Sequence, residues 1–196
     1  MRRLAGFVLA AALLAACTTS TTDTSTDSTT TSTLAVNLLV QQRYVPRAIA
    51  DIVDAVGTEV VQFREVDVYP EYVIVELQDP NIPDHIDQYE WRGGSVEPPE
   101  PVQLSGPQEA IEAELFPSTA FDWRTLATRA REAEAAAETA TPLRIEDPQA
   151  QYVFVERSTS SELDGRLVLR IYITGPRRAG NVEMTSSGEI LSVNVS

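Results

Sequence analysis

Two short runs, Tyr72-Val73-Ile74-Val75-Glu76 and Tyr152-Val153-Phe154-Val155-Glu156, constrain what this chain can fold into more than any other feature. Both alternate valine with a larger or charged residue. β-branched and aromatic side chains suit a pleated strand, and successive strand residues point to opposite faces. Tyr72, Ile74 and Glu76 therefore share one face, with Val73 and Val75 on the other. Tyr152, Phe154 and Glu156 stand in the same relation to Val153 and Val155. A strand with an all-valine face needs an apolar layer to pack on. The opposite face is predicted to be the wetter one.

That layer is visible upstream of each run, where the hydrophobic period becomes helical. Ile49, Ile52, Val53 and Val56 recur on one helix face behind Pro46, which a first turn tolerates, and Gly57 supplies a stop. Phe121-Asp122-Trp123-Arg124 opens a second helix with Asp122 as N-cap. The run from there to Glu138 is rich in Ala, Glu and Arg, good helix formers.

Strands are predicted around each valine run. In the first half they cover Val61 to Val68, Tyr72 to Glu76 and Gln88 to Arg92, and a last strand begins at Val96 after the Gly93-Gly94 turn. In the second they cover Leu143 to Ile145, Tyr152 to Glu156, Arg166 to Ile173, Val182 to Thr185 and Ile190 to Val195, the last two flanking Ser187-Gly188. Leu34 to Tyr44 reads as a lead-in strand or short helix, and the proline-rich Pro98 to Pro107 as a connector. The fold class is α+β: two helix-then-antiparallel-meander repeats, at 34–105 and 106–196. Tyr44 to Val56 lines up with Phe121 to Ala133 at an offset of 77, and the valine runs at 80, as expected of an internal duplication with a three-residue insertion. On that alignment Tyr72 and Tyr152 occupy equivalent strands.

Nothing from Thr18 to Thr33 can bury: every residue is Thr, Ser or Asp, which predicts a disordered tether. Its root-mean-square reach is roughly 20 Å. Before it, Arg2 and Arg3 precede an apolar stretch from Gly6 to Ala16, too short to span a bilayer and organised like a secretory signal. Leu14-Ala15-Ala16-Cys17 resembles the lipobox of bacterial lipoproteins. That resemblance implies a signal peptide at 1–16 and a diacylglycerol on Cys17, the first residue of the mature chain. Two acyl chains hold a protein stably where one does not. The partner it implies is a membrane, with the folded part in the cell envelope outside the cytoplasm.

Charge narrows the function classes. A formal charge of -14 argues against nucleic acid, whose phosphates need a basic face. The acids are concentrated: Glu59 to Glu100 holds eleven acids and two arginines, whereas Thr141 to Ser196 holds seven and six. The chain has no lysine, its one cysteine is the lipidation residue, and its one histidine, His85, lies in an acidic loop. Nucleophilic catalysis normally pairs a nucleophile with a base, so no catalytic residue is assigned and the chain is not expected to be an enzyme. No cofactor and no metal is expected; Asp79, Asn81, Asp84 and Asp87 offer hard oxygens for calcium but lack the EF-hand pattern.

The helix-then-meander order, twice, and the ending Met184-Thr185-Ser186-Ser187-Gly188-Glu189-Ile190-Leu191-Ser192-Val193 resemble the PepSY-like and β-lactamase-inhibitor-protein-like modules of bacterial envelope proteins. The resemblance implies a non-catalytic module that binds or inhibits an envelope protein. The candidate binding surface is Tyr72, Ile74, Tyr152, Phe154 and Trp91; Trp91, between Glu90 and Arg92, reads as an exposed anchor or as half-buried core. The alternative function is a carrier of an apolar ligand such as a lipid, which needs a large cavity between helices and sheet.

Overall fold

The computed structural model describes residues 36–160, 163 and 165–196. The signal peptide, Cys17 and the tether lie outside the described residues. From Val36 the chain makes turns, not the expected strand or helix. Leu38 and Leu39 are buried there, and the Leu38 amide donates to the Pro70 carbonyl at 2.8 Å.

Helix α1 (Tyr44–Val56) buries Val45, Ala48, Ile49 and Ile52. Gly57 ends it in the left-handed region at φ 82°, donating to the Val53 carbonyl, a conformation that glycine adopts without a Cβ penalty. Strands β1 (Gln62–Val68), β2 (Tyr72–Gln78), β3 (Ile86–Arg92) and the two-residue β4 (Ser95–Val96) form the first meander. The predicted connector contains more structure than its prolines suggest. A two-residue β5 (Glu100–Pro101) pairs with β3, a short helix α2 (Gln108–Glu114) follows, and β6 (Phe116–Pro117) pairs with β1.

Asp122 does cap a turn: its carboxylate accepts from the Arg124 amide at the start of a 3-10 segment, Trp123–Thr125. Helix α3 (Leu126–Thr139) continues from it, burying Leu126, Ala127, Ala130, Ala133 and Ala137. The second meander is β7 (Gln149–Arg157), β8 (Leu167–Thr174), β9 (Ala179–Thr185) and β10 (Ile190–Val195). Leu143 to Ile145 is not a strand. Ile145 is buried and its amide donates to the carbonyl of Ala137 at 3.0 Å, so this backbone closes off α3 and pairs with no strand.

All ten strands of the described residues belong to one sheet, in the order β10-β9-β8-β7-β1-β2-β3-β4, with β5 on β3 and β6 on β1. The two meanders thus run outward in opposite directions from an antiparallel β1–β7 pair. Helices α1 and α3 lie on one face of the sheet. Val66, Val68, Val73, Val75, Val153 and Val155, all fully buried, form the core with them. An aromatic knot closes it: Phe63 meets Phe116 edge-on at 6.1 Å, and Trp123 lies 5.0 Å from Phe121.

The two valine runs are not equivalent strands of the repeat. Tyr72–Glu76 is in the second strand of its meander and Tyr152–Glu156 in the first of its own, so the match between them does not support the proposed duplication. Instead the runs flank β1 in identical register. Val68 is opposed by Val73 and Val153, Asp67 by Ile74 and Phe154, Val66 by Val75 and Val155, and Glu65 by Glu76 and Glu156. Both strands cover the same neighbour over the same helix layer, and one environment accounts for one pattern.

Candidate functional site: the open face of the sheet

The face away from the helices carries the other half of each alternation, in rows set by the strand register. One row runs Arg92, Tyr72, Tyr152, Tyr172, Asn181 and Asn194 across β3, β2, β7, β8, β9 and β10. Tyr69, just past β1, fills the gap in it. The tight Tyr69–Tyr72 turn, closed by a 2.9 Å bond from the Tyr69 amide to the Tyr72 carbonyl, stacks these two rings at 4.5 Å and 18°. Tyr69 lies 5.5 Å from Tyr152, which stacks on Tyr172 at 4.4 Å and 28°. Phe154 completes the cluster, 5.2 Å from Tyr152 and 5.6 Å from Tyr172, and the Arg92 guanidinium covers the outer face of Tyr72 at 4.1 Å. Rings stacked along a row turn their faces to one another. What they offer outward is edges and hydroxyl groups.

Beside this ladder lie the carboxyls. Glu76, Glu65 and Glu156 stand side by side on β2, β1 and β7, and Asp67 sits one pleat away between Ile74 and Phe154. Burial first, and then the neighbouring Glu65, push Asp67 up to about 8. Burial and the flanking Glu156 and Glu76 also raise Glu65. Oδ1 of Asp67 is enclosed with no hydrogen-bond partner among the described residues. The β1 register slips between Phe63 and Glu65. From this bulge Arg64 pairs with Glu76 and, at 2.8 Å, with Glu114 of α2, tying α2 to this end of the face. Arg170 sits between Glu156 at 3.0 Å and Glu183 at 3.8 Å.

Four of the five residues expected on the surface, Tyr72, Ile74, Tyr152 and Phe154, share this face, each half-buried. Trp91 does not. It is 3% exposed on the helix side of β3, with Nε1 donating to Asp51 of α1 at 2.8 Å. Its neighbours Glu90 and Arg92 face the opposite way, and this alternation put the indole in the core. Sequence reading missed Tyr69, Glu65, Asp67, Arg170 and Tyr172. Tyr172 was within reach, since it alternates with the buried Ile171 and Ile173. The bulge at Arg64 hid Glu65 by breaking the period of β1.

Clefts adjoin this face and lie away from it; one of about 440 Å³, at its β3 edge, is lined by Gln88, Glu90, Glu97, Pro98, Pro99 and Glu100. A cleft of about 400 Å³ is lined by Ala140, Thr141, Pro142, Arg144, Glu146, Arg177 and Arg178. A smaller one of about 230 Å³ adjoins the carboxyl row between Arg64, Glu65, Glu114, Glu156, Arg157 and Thr159. His85 is exposed in the β2–β3 loop.

No protein-family model matches the chain, and no curated protein matches it in sequence. Its fold class is nonetheless a known one: an α+β module of two helix-then-meander units joined into a single antiparallel sheet. Among solved structures it is similar to the crystal structure of a "putative lipoprotein" from Clostridium difficile 630. The TM-score is 0.55 and the identity 14%, over 82% of this chain and 99% of the other. At that identity the likeness concerns the fold. The PepSY resemblance therefore rests on element order and the terminal hairpin motif.

Proposed function

We propose that this chain is a lipid-anchored protein of the bacterial cell envelope, and that its open sheet face docks another protein without catalysing a reaction. The anchor follows from Leu14-Ala15-Ala16-Cys17, and the neighbour of like fold is itself described as a lipoprotein. Among the described residues no helix is long and apolar enough to cross a membrane. The docking role rests chiefly on one observation, the ladder of Tyr72, Tyr69, Tyr152 and Tyr172, which holds rigid amphipathic rings on a face that no helix among the described residues covers. Tyrosine supplies large contact area at low entropic cost and is enriched at protein interfaces. A sugar platform would need free ring faces, and here neighbouring rings occupy them. A carrier of apolar ligands would need room between helices and sheet, where Val73, Val75, Val153, Ala133 and Leu126 are packed without exposure.

The test is site-specific photo-crosslinking in intact envelopes, with a benzophenone amino acid at Tyr152 or Tyr172 and, as control, at Glu132 on the outer side of α3. Discrete adducts from the two sheet positions and none from Glu132 are expected. Equal adducts at all three positions, or none at the sheet, would overturn the reading.

A further inference from the structure

Charge on the open face is unbalanced in a way that specifies a partner. Among the described residues three guanidiniums on or beside it are each shared by two carboxylates: Arg64 by Glu76 and Glu114, Arg92 by Glu90 and Glu71, Arg170 by Glu156 and Glu183; a fourth, Arg157, lines the adjoining cleft and donates to the Leu115 and Gly165 carbonyls. None of the three lies within ion-pair distance of Glu65 or Asp67 at the centre. That leaves eight carboxyls against four cations on and around this face, in a chain of formal charge -14. A second copy meeting this face would set acid against acid, and anionic lipid would be repelled. The complementary occupant is cationic.

We propose that the face docks an extended basic segment of a protein partner, seating an arginine or lysine at the Glu65–Asp67 pair between Ile74 and Phe154. The proposal rests on the reading of this face as a docking surface. The row from Arg92 to Tyr172 spans five strand positions, about 19 Å at ordinary inter-strand spacing, the length of about six extended residues. A segment lying along it meets phenol hydroxyls on one flank and carboxylates on the other. The groups facing the Glu65–Asp67 pair are Glu76 on β2, Glu156 and Tyr152 on β7, Arg64 and Tyr69 of the β1 segment, and Arg170 on β8.

The experiment is calorimetric titration of the full mature chain with a nine-residue peptide alternating Arg and Thr, and with its citrulline counterpart. The double variant Glu65→Gln/Asp67→Asn, isosteric and free of the carboxyl repulsion, is expected to weaken binding about tenfold or more, as fits loss of close charge pairs. Glu97→Gln/Glu100→Gln removes two carboxylates at the sheet edge and is expected to stay within about twofold. Equal weakening by both pairs would reduce the effect to bulk charge and overturn the proposal. So would equal binding of the citrulline peptide, no binding of either, or a wild-type dimer that the Glu65→Gln/Asp67→Asn pair dissociates. The benzophenone at Tyr172 separates the two levels: adducts that persist undiminished in that double variant leave the docking face standing and remove its cationic partner.

Discussion

Glu65 and Asp67 stand two residues apart on the open face of β1, where burial and then the charge of Glu65 favour a proton on Asp67. With Asp67 raised from 3.8 to about 8, the folded chain keeps a proton that the unfolded chain loses near pH 4. By linkage the stability tied to this proton is complete below about pH 4 and is lost as pH rises through about 8. Thermal unfolding should therefore show Tm falling between pH 5 and pH 8.5. Asp67→Asn should flatten that slope and raise Tm at pH 8.5 by a few degrees, since 1 kcal/mol moves a domain of this size by about 2–4 °C. A variant with the wild-type slope would refute the assignment.

The two faces of the sheet should respond oppositely to truncation. Trp91→Ala empties a core site and removes the bond to Asp51, with an expected loss of about 3–5 kcal/mol. Trp91→Phe keeps most of the volume and should lose about 1 kcal/mol. Tyr172→Ser on the open face gives up aromatic contacts worth about 1 kcal/mol. Denaturant titration orders the three, and a Tyr172→Ser loss matching that of Trp91→Ala would mean that the face is core.

Gly188→Val should destabilise the terminal hairpin. Gly188 has φ 96°, and a Cβ there would run into the guanidinium of Arg129 on α3. Backbone strain of this kind costs about 1–3 kcal/mol, so a lower Tm is expected, with the greatest loss of amide protection in β9 and β10. An unchanged Tm would show that the turn relaxes freely.

Cys17→Ala should move the protein from the membrane fraction to the soluble fraction with its Tm unchanged. Anchorage on the proposed reading is chemistry at one thiol, separate from the folded part. Retention on membranes through a high-salt wash would point to another mode of attachment.

Most of the architecture was legible because its signals are periodic. Val73, Val75, Val153 and Val155 announced a buried sheet face, and Ile49 and Ile52 announced the helix over it. The losses came where period gives no guidance. Strand pairing is non-local, so Tyr72 and Tyr152 looked like copies of one strand when they are two neighbours of another. Ile145 is apolar like a strand residue but spends its amide on a helix end. Helix α2 buries only Ile111, too little for a visible stripe. The face itself was half readable: alternation chose Tyr72, Ile74, Tyr152 and Phe154, while Tyr69 reached the ladder only through its turn.

The β1–β7 pairing has a consequence for assembly. Every other junction between long strands of the sheet joins neighbours along the chain, whereas this one brings together segments about ninety residues apart. Closing a loop of that length costs on the order of 4 kcal/mol of chain entropy. Until it closes, β1 and β7 are bare edges with valine on one side, and each is a template for the other. At high concentration the same two edges can meet between molecules, the first meander of one chain completing the second of its neighbour. The fold thus contains the means of a reciprocal exchange, and chain concentration during folding decides how often that exchange is made.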